Sequence, residues 1–420
     1  MCLRSVAAVL LVTISLPTVD AADWLEFRGP NGRGVSDVTG LPLTWNAEDG
    51  TNIVWKSAVP GLGWSSPVIQ DGRIYVTTCV QKAADDRSLR AVCLSTSTGK
   101  IRWDVEVFAP GEEHPDKIHS KNSHASPTPL LADGRVYVYF GNEGAACLDL
   151  DGKIIWKNNE HSYAPQHGNG GSPILVGEKL IFAVDGNDHR YVTALDRKTG
   201  QTLWKTPRSL PANRNFSFST AQLIEVDGQQ QVISPGSDMV AAYDPETGNE
   251  IWRVAYDGYS VVPRPVFAHG LVYICTGFGP TKLLAIRPDG RGDVTETHVA
   301  WEYSSSNVSK TPSLLVIGDE VYVVGDRGVL TCLDAHSGEL VYQERLGGGY
   351  SASPLYAGGV IYLQDEAGGT KVIRPGRTFE MVAQSSVGER TFASYAIADG
   401  SIYLRGENHL FRIDDIAAGK

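Results

Sequence analysis

Short apolar stretches alternate with turn residues in the segment 311–342, which reads TPSLLVIGDEVYVVGDRGVLTCLDAHSGELVY. Segments rich in Val, Leu and Tyr, separated by Gly-Asp, Asp-Arg-Gly and His-Ser-Gly, are typical of β-strands joined by tight turns. The pattern predicts four strands, at 313–317, 320–324, 329–333 and 339–342. A sheet of these strands is apolar on both faces, so it must pack between copies of itself.

Relatives of this segment recur along most of the chain. Most copies open with Ser-Pro or a similar pair; three close with Thr-Gly-x-x-x-Trp, and the second closes with Asp-Gly-x-x-x-Trp. The tryptophans that end successive copies lie 48 to 53 residues apart; they are Trp55, Trp103, Trp156, Trp204, Trp252 and Trp301. Repeats of this length with four strands each are typical of a β-propeller.

The two ends of the chain each carry an incomplete copy. The last copy stops after a third strand at 409–413, whereas residues 52–56 (Asn-Ile-Val-Trp-Lys) form a closing strand with no repeat before it. Joining the ends completes eight units and removes the open sheet edges. The sequence therefore predicts an all-β fold, an eight-bladed β-propeller of four-stranded antiparallel blades closed by an N-terminal strand.

The first residues have the pattern of a secretory signal. Arg4 precedes an apolar run at 6–16, and Val19 and Ala21 occupy the small-residue positions of a cleavage site. The run is too short to span a bilayer. We therefore divide the chain into a signal peptide at 1–22, a leader at 23–50 and one propeller domain at 51–420, and expect an exported protein of the periplasm or the extracellular space.

The net charge limits the class of binding partner, and the positions of the cysteines indicate their role. The net charge is −11 with no long run of one sign, and nucleic-acid binding requires a basic surface, so we expect no nucleic-acid partner. Cys93, Cys147 and Cys332 share one repeat position where other copies carry Ala. A position that accepts Cys or Ala is a small buried site, so we expect packing rather than a disulfide.

The repeat marks resemble the pyrroloquinoline-quinone-type (PQQ-like) propeller repeats. These occur in quinoprotein alcohol dehydrogenases and in outer-membrane assembly lipoproteins of the BamB type. The segment 24–34 (WLEFRGPNGRG) and the Leu-Pro-Leu-Thr-Trp at 41–45 are similar to the leader of exported bacterial PQQ-like proteins. The resemblance implies that each repeat tryptophan docks between neighbouring blades, and one large flat side chain per copy suits that packing.

Polar side chains recur in the loops that lead into the first strand of each copy. In this connectivity such loops surround one mouth of the central channel, where they form a surface for an anionic or hydroxylated ligand. The candidate residues are Lys121, Asn122, His124, His167, Arg214, Arg264 and Lys310. The alternative is that they only bind neighbouring backbone and water.

Metal and enzyme motifs give little support to a catalytic function. His114, His119 and His124 lie near acidic residues, but their spacing of five does not place them on one side of a helix, and no Cys pair or His-x-x-x-His accompanies them. We therefore predict no metal site there. The sequence contains no nucleophile elbow, phosphate loop or dinucleotide fingerprint.

Three functions remain open. The first is a non-catalytic, cofactor-free and monomeric module that binds a protein or glycan partner in the cell envelope through the inter-blade loop face. The second is a PQQ-dependent dehydrogenase with calcium, although the adjacent cysteines, the haem Cys-x-x-Cys-His and a calcium-binding set of that family have no match here. The third is a hydrolase or lyase that uses the same face. We predict the first.

Overall fold

The computed structural model describes residues 23–82, 86–110 and 118–416, so the predicted signal peptide lies outside the described residues. Within these ranges, eight sheets of four antiparallel strands follow one another around a central channel. The first strands of neighbouring blades contact each other and line that channel. The predicted eight-bladed β-propeller is confirmed. None of the described helices has the length and apolar character that crossing a bilayer requires.

The strands of the first four blades are given from the channel outwards. Blade 1 contains Val68–Gln70, Arg73–Gln81, Arg87–Ser95 and Ile101–Phe108. Blade 2 contains Leu130–Ala132, Arg135–Tyr139, Ala145–Asp149 and Ile154–Asn158, with a 3-10 turn at Gly141–Glu143. Blade 3 contains Ile174–Val176, Lys179–Asp185, Arg190–Asp196 and Thr202–Pro207. Blade 4 contains Gln222–Val226, Gln229–Gly236, Met239–Tyr243 and Glu250–Ala255.

The other four blades follow the same order. Blade 5 contains Val266–Ala268, Leu271–Cys275, Lys282–Ile286 and Val299–Ser304. Blade 6 contains Leu315–Ile317, Glu320–Val324, Val329–Asp334 and Leu340–Arg345. Blade 7 contains Leu355–Ala357, Val360–Gln364, Gly369–Arg374 and Glu380–Ser386. Blade 8 contains Ala396–Ala398, Ser401–Arg405, His409–Ile413 and Ile53–Ala58.

Blade 8 closes the ring with strands from both ends of the chain. Ile53–Ala58 pairs antiparallel with His409–Ile413 and supplies the outer strand that the last repeat lacks. The predicted closure is confirmed. All four strands predicted for 311–342 are present in blade 6, with ends that differ by at most three residues.

A short extra strand covers the outer edge of blade 4. Gly292–Asp293 pairs in parallel with Glu250–Ala255, the outer strand of blade 4, and the short helix Thr295–His298 follows. The outer edge of a blade has unpaired backbone groups, and an extended dipeptide that passes close to it satisfies some of them.

The repeat tryptophans join neighbouring blades through their indole N–H groups. Five indoles donate to a backbone carbonyl of the next blade, in the pairs Trp55–Thr96, Trp103–Leu150, Trp156–Arg197, Trp204–Pro245 and Trp301–Ala335, at 2.8 to 3.1 Å. Trp252 instead donates to Gln231 Oε1 at 2.8 Å, and Gln231 Nε2 donates to Pro288 O at 3.1 Å. Trp252 is therefore connected to blade 5 through the side chain of Gln231, whereas the other five indoles bind the next blade directly.

Serine and threonine hydroxyls link the blades at the channel. In seven of the eight junctions, a backbone N–H at the start of one blade donates to a hydroxyl of the next at 2.9 to 3.0 Å; the hydroxyls belong to Ser66, Thr128, Ser172, Thr220, Ser313, Ser353 and Ser394. In the junction between blades 4 and 5, Arg264 Nε donates to Ala221 O at 3.1 Å. This ring fixes the positions from which the inter-blade loops rise.

The leader fills the channel from the side of the strand turns. Trp24 exchanges backbone hydrogen bonds with Ile69 in the first strand of blade 1. After the 3-10 turn Pro30–Gly32, the strand Val35–Ser36 pairs in parallel with the first strand of blade 7. Between these two contacts, Asn31 O accepts a hydrogen bond from Gln222 Nε2 at the start of blade 4, so the leader reaches across the channel and occupies this end of it.

Two arginines anchor the leader inside the channel. Arg264 donates to Phe27 O at 2.7 Å and to the Glu26 carboxylate at 3.0 Å. Arg28, which is 1% exposed, donates to Leu314 O at 2.6 Å. A Cβ on Gly32, whose φ is +64°, would lie 2.0 Å from the guanidinium carbon of Arg264, so only glycine permits this close approach.

The cysteines of the described chain are buried and unpaired, as expected. Burial raises the pKa of Cys93 and Cys147 to about 11 and that of Cys332 to about 12. These thiols therefore remain protonated and pack as small apolar groups.

Candidate functional site

A cavity of about 640 Å³ opens at the end of the channel opposite the leader. It lies among the loops between blades, and we call it the mouth pocket. Hydroxyls of the blade-linking ring, among them Ser66, Thr128 and Ser172, lie deep in it, together with the Phe27 ring of the leader. The volume is typical of pockets for small molecules or single residues of a larger partner.

Aromatic rings form a continuous wall on one side of the mouth pocket. The His119 and His167 rings meet edge to face at 5.5 Å, and His167 meets Phe216 in the same way at 5.4 Å. Phe216 then contacts Tyr259 at 6.0 Å, and Tyr259 contacts Phe278 at 6.1 Å. A wall of this kind binds the flat or apolar part of a ligand.

A second aromatic pair lies across the mouth pocket. Trp64 and Phe392 meet edge to face at 4.7 Å, and both line the cavity. The pocket therefore has apolar surface on two sides and hydroxyl groups at depth.

Two cations lie against the aromatic wall. The Arg214 guanidinium is 4.2 Å from the centroid of the Tyr259 ring, and Lys310 Nζ is 5.0 Å from that of Phe278. Neither cation has an ion-pair partner among the described residues. The nearby carboxylate of Asp326 instead accepts hydrogen bonds from Lys310 N at 2.7 Å and from Thr311 Oγ1 at 2.6 Å. The wall thus presents positive charge next to apolar surface, which suits an anionic group attached to a ring or an apolar chain.

Lys121 links two loops at the rim. Its Nζ forms a 2.6 Å ion pair with Glu366 Oε1, and Ser351 Oγ donates to the same oxygen at 2.6 Å. Asn122 Nδ2 donates to His167 O at 2.9 Å. This side of the rim is therefore internally bonded and less available to a ligand than the Arg214 side.

The structure brings five of the seven predicted ligand-face residues into the lining of the mouth pocket: Lys121, Asn122, His167, Arg214 and Lys310. Arg264 is elsewhere, because its side chain points down the channel and binds the leader, which leaves it 3% exposed. His124 lies outside the lining, since its ring packs toward Arg87 of blade 1. His114 falls outside the described residues.

His124 is held neutral by its surroundings. Burial and the nearby Arg87 guanidinium lower the pKa of His124 to about 4. In the unfolded chain a histidine has a pKa of about 6.5. Between these values the unfolded state binds a proton that folded His124 does not, so stability falls as the pH drops from about 6.5 towards 4.

We therefore expect His124→Gln to lose less stability than the wild type when the pH is lowered from 7 to 5. Urea unfolding at both pH values measures the difference. A comparison at pH 8, where the histidine is neutral in both states, isolates the effect of the lost Arg87 contact. Identical pH dependence for the two proteins would contradict this assignment.

Sequence reasoning missed the aromatic wall. Phe216, Tyr259 and Phe278 do not stand at one repeat position, and a single aromatic residue in a β-rich sequence is usually read as core. A usable signal was present, because Trp64, Phe216, Tyr259 and Phe392 each precede the opening residues of a copy, in the same loops as the predicted polar residues.

A family model described as outer membrane protein assembly factor BamB matches residues 43–215, 188–323 and 293–406. The chain belongs to this BamB family. BamB of Yersinia pestis is 26% identical over 229 residues, which are 52% of this chain and 52% of that protein. The crystal structure of BamB from Moraxella catarrhalis superposes with a TM-score of 0.60 at 14% identity, over 86% of this chain and 99% of that one. At that identity the superposition shows a shared fold.

The sequence of this BamB-family chain is also similar to part of an enzyme. Quinohemoprotein alcohol dehydrogenase ADH-IIG of Pseudomonas putida is 30% identical over 139 residues, which are 30% of this chain and 19% of that protein. The chain thus spans about a fifth of the dehydrogenase and about half of the Yersinia protein.

Proposed function

We propose that this BamB-family chain is an exported, non-catalytic and monomeric binding module whose mouth pocket binds a partner in the cell envelope. The partner presents an anionic or hydroxylated group on a flat or apolar body, carried by a protein or a glycan. The signal-like pattern at 1–22 and the family membership support the envelope location.

The observation that carries this proposal is the pairing of Arg214 and Lys310 with the aromatic wall. A cation that lies on an aromatic ring keeps its charge and loses part of its hydration, so an anion that reaches it forms a strong charge-assisted bond. The rings beside it bury the apolar part of the same ligand. One ligand group can therefore satisfy both features of the wall.

The position of the leader favours the binding of a ligand in the mouth pocket over its passage through the channel. It occupies the channel at the opposite end, and its Phe27 ring lies deep in the mouth pocket. A group that enters the mouth therefore stops there. The hydroxyl ring offers donors and acceptors to the deepest part of that group.

The direct test is capture of a partner from an envelope extract of the source cells. We expect the wild type to retain a specific partner and the double variant Arg214→Ala/Lys310→Ala to bind it at least about tenfold more weakly, since two charge-assisted contacts are lost. Arg374→Ala is the matched control, because Arg374 is an exposed cation, paired with Glu380, on the outer strands of blade 7.

Treatment of the extract with protease or with glycosidase before capture identifies the source of the bound group. Equal capture by the wild type and the double variant would remove the mouth pocket from the interaction. Turnover of a substrate by the purified protein would replace the proposal with an enzymatic function.

A quinoprotein function is the second candidate, since the Pseudomonas putida dehydrogenase shares part of the sequence. PQQ is a flat aromatic carboxylate, and the aromatic wall with Arg214 and Lys310 fits that part of it. Calcium requires six to eight oxygen ligands, usually with several carboxylates. Asp326 is the one carboxylate in the described lining, and both its oxygens already accept hydrogen bonds. The lining therefore does not fit the calcium. A thermal shift with PQQ and calcium, together with dye reduction by alcohols, would favour this candidate.

A further inference from the structure

Three side chains with metal-binding atoms meet on the turn face, opposite the mouth pocket. They are His269, Asp319 and His336, and one ligand atom from each lies within 4.8 Å of the others. His269 belongs to the first turn of blade 5, and Asp319 and His336 belong to the first and last turns of blade 6. The group therefore spans the junction between two blades, and all three residues are exposed.

The backbone presents these side chains in defined positions. His269 has a φ of +52° and is followed by Gly270 with a φ of +71°, so the two form a tight hairpin turn that projects the imidazole towards blade 6. His336 N donates to Asp334 Oδ1 at 3.1 Å, which holds the last turn of blade 6 in place. The two imidazole rings lie 4.7 Å apart.

Hydrogen bonds also define one tautomer. His269 Nε2 lies 2.8 Å from Gly318 O, and because a carbonyl oxygen only accepts, Nε2 carries the proton and Nδ1 keeps its lone pair. A histidine that donates one ring N–H to a backbone carbonyl and keeps the other nitrogen free has the arrangement common among metal ligands. His336 Nε2 lies 3.0 Å from Asp319 Oδ1.

The junction between blades 2 and 3 has the same three turn positions and a different chemistry. Asp133, Glu178 and Lys198 stand there where His269, Asp319 and His336 stand in blades 5 and 6. Lys198 pairs with Glu178 at 2.7 Å, and Arg197 pairs with Asp133 and Glu178 at 2.6 Å.

The permanent cations of that junction are missing between blades 5 and 6. Ala335 stands at the position of Arg197, and His336 stands at that of Lys198. What remains is one carboxylate and two imidazoles, a donor set that binds a cation instead of supplying one.

We propose that His269, Asp319 and His336 form a binding site for a divalent transition-metal ion of the zinc type. Two imidazole nitrogens and one carboxylate oxygen suit zinc, whereas calcium and magnesium prefer oxygen ligands throughout. The ion takes the place of the proton between His336 Nε2 and Asp319 Oδ1, and that proton is released to solvent. Water completes the coordination on the exposed side.

The bound ion has a structural effect because of where His336 lies. The adjacent carbonyl of Ala335 accepts hydrogen bonds from the Trp301 indole of blade 5 at 3.0 Å and from Tyr273 Oη at 3.0 Å. A metal that joins His269 to His336 therefore strengthens a junction that these two bonds already form. An ion that binds only the folded state stabilises it by mass action.

The test is titration calorimetry with zinc chloride on tag-free protein that has been stripped with chelator. We expect binding of one zinc per chain in the wild type and an affinity at least about tenfold lower in His269→Ala and in His336→Ala. His189→Ala is the matched control, because His189 is an exposed histidine beside Asp188 but on the mouth side of blade 3. It should bind zinc like the wild type.

Melting temperatures in chelator verify that the variants fold, and zinc should raise the melting temperature of the wild type and of His189→Ala only. The absorption spectrum of the cobalt-substituted protein provides a second readout of nitrogen and oxygen ligation. Equal zinc affinity in the wild type and the double variant His269→Ala/His336→Ala would overturn the proposal. Absence of zinc binding by the folded wild type, or calcium binding of equal strength, would do the same.

Discussion

Replacement of Asp185 by alanine is expected to lower the free energy of unfolding by about 3 to 5 kcal/mol, because it leaves the Arg208 charge buried without a partner. Arg208 Nε and Nη2 donate to the two oxygens of Asp185 at 2.7 and 2.6 Å, and the side chains are 0% and 2% exposed. Burial lowers the pKa of Arg208, but the attraction of the Asp185 carboxylate outweighs it, and the net shift is upward. Urea unfolding followed by tryptophan fluorescence measures the loss.

Two further variants test the cause. The double variant Asp185→Leu/Arg208→Met removes both charges and should be more stable than Asp185→Ala, since no uncompensated ion remains. Glu380→Gln breaks the exposed pair with Arg374, in which both side chains are 55% exposed, and should change stability by less than about 0.5 kcal/mol. An Asp185→Ala variant as stable as Glu380→Gln would refute the buried-charge account.

The Asp185→Ala substitution should also affect the mouth pocket. Arg208 directly follows the outer strand of blade 3 and donates to Ser234 O and Pro235 O of blade 4 at 3.0 and 3.1 Å. The loop that begins after it carries Arg214 and Phe216 into the pocket lining. Release of Arg208 therefore loosens the segment that holds one ring of the aromatic wall, Phe216, and one of its cations, Arg214.

Trp24→Ala is expected to cost about 3 to 5 kcal/mol, the range for truncation of a large aromatic side chain in a packed core. Trp24 is 1% exposed and packs in the cluster that includes Ile69 and Ile74 of blade 1. The hydrogen bonds of its backbone with Ile69, at 2.9 and 2.7 Å, place the ring at the start of the channel. The variant should also loosen Phe27 at the base of the mouth pocket.

Leu43→Ala is the matched control for the leader, because Leu43 lies in the same segment and is 41% exposed. It should stay within about 0.5 kcal/mol of the wild type. Thermal and urea unfolding of both variants measure the difference. A Trp24→Ala variant with the stability of Leu43→Ala would mean that the leader does not contribute to the folded core.

The repeat made the blades predictable. Strands of four to six residues with tight turns need only local information, and the period of the tryptophans sets the number of blades. Ile53–Ala58 was identifiable as the closing strand because it contains Trp55, a tryptophan of the kind that ends each copy, and no repeat precedes it. The bond from each indole to the next blade follows from the same periodicity, except at Trp252, where Gln231 intervenes.

The candidate site was predictable only in part. Loops that precede the first strand of each blade surround the mouth in any propeller of this connectivity, so Arg214 and Lys310 could be placed near it. Arg264 occupies the same repeat position as the ring hydroxyls, yet its long side chain reaches down the channel to Glu26 and Phe27. That direction depends on the leader, and the repeat pattern contains no information about the leader.

The sequence by itself determined the number of blades, the closure of the ring and the face that the inter-blade loops occupy, because these depend on periodic local patterns. Only the tertiary structure showed that the leader closes the channel, that Arg214 and Lys310 lie on aromatic rings, and that His269, Asp319 and His336 meet. Each group contains residues from different segments of the chain. Secondary-structure propensity and the period of the repeat do not predict which side chains of such segments come into contact. The packing of neighbouring blades against each other, and of the leader in the channel, brings them together.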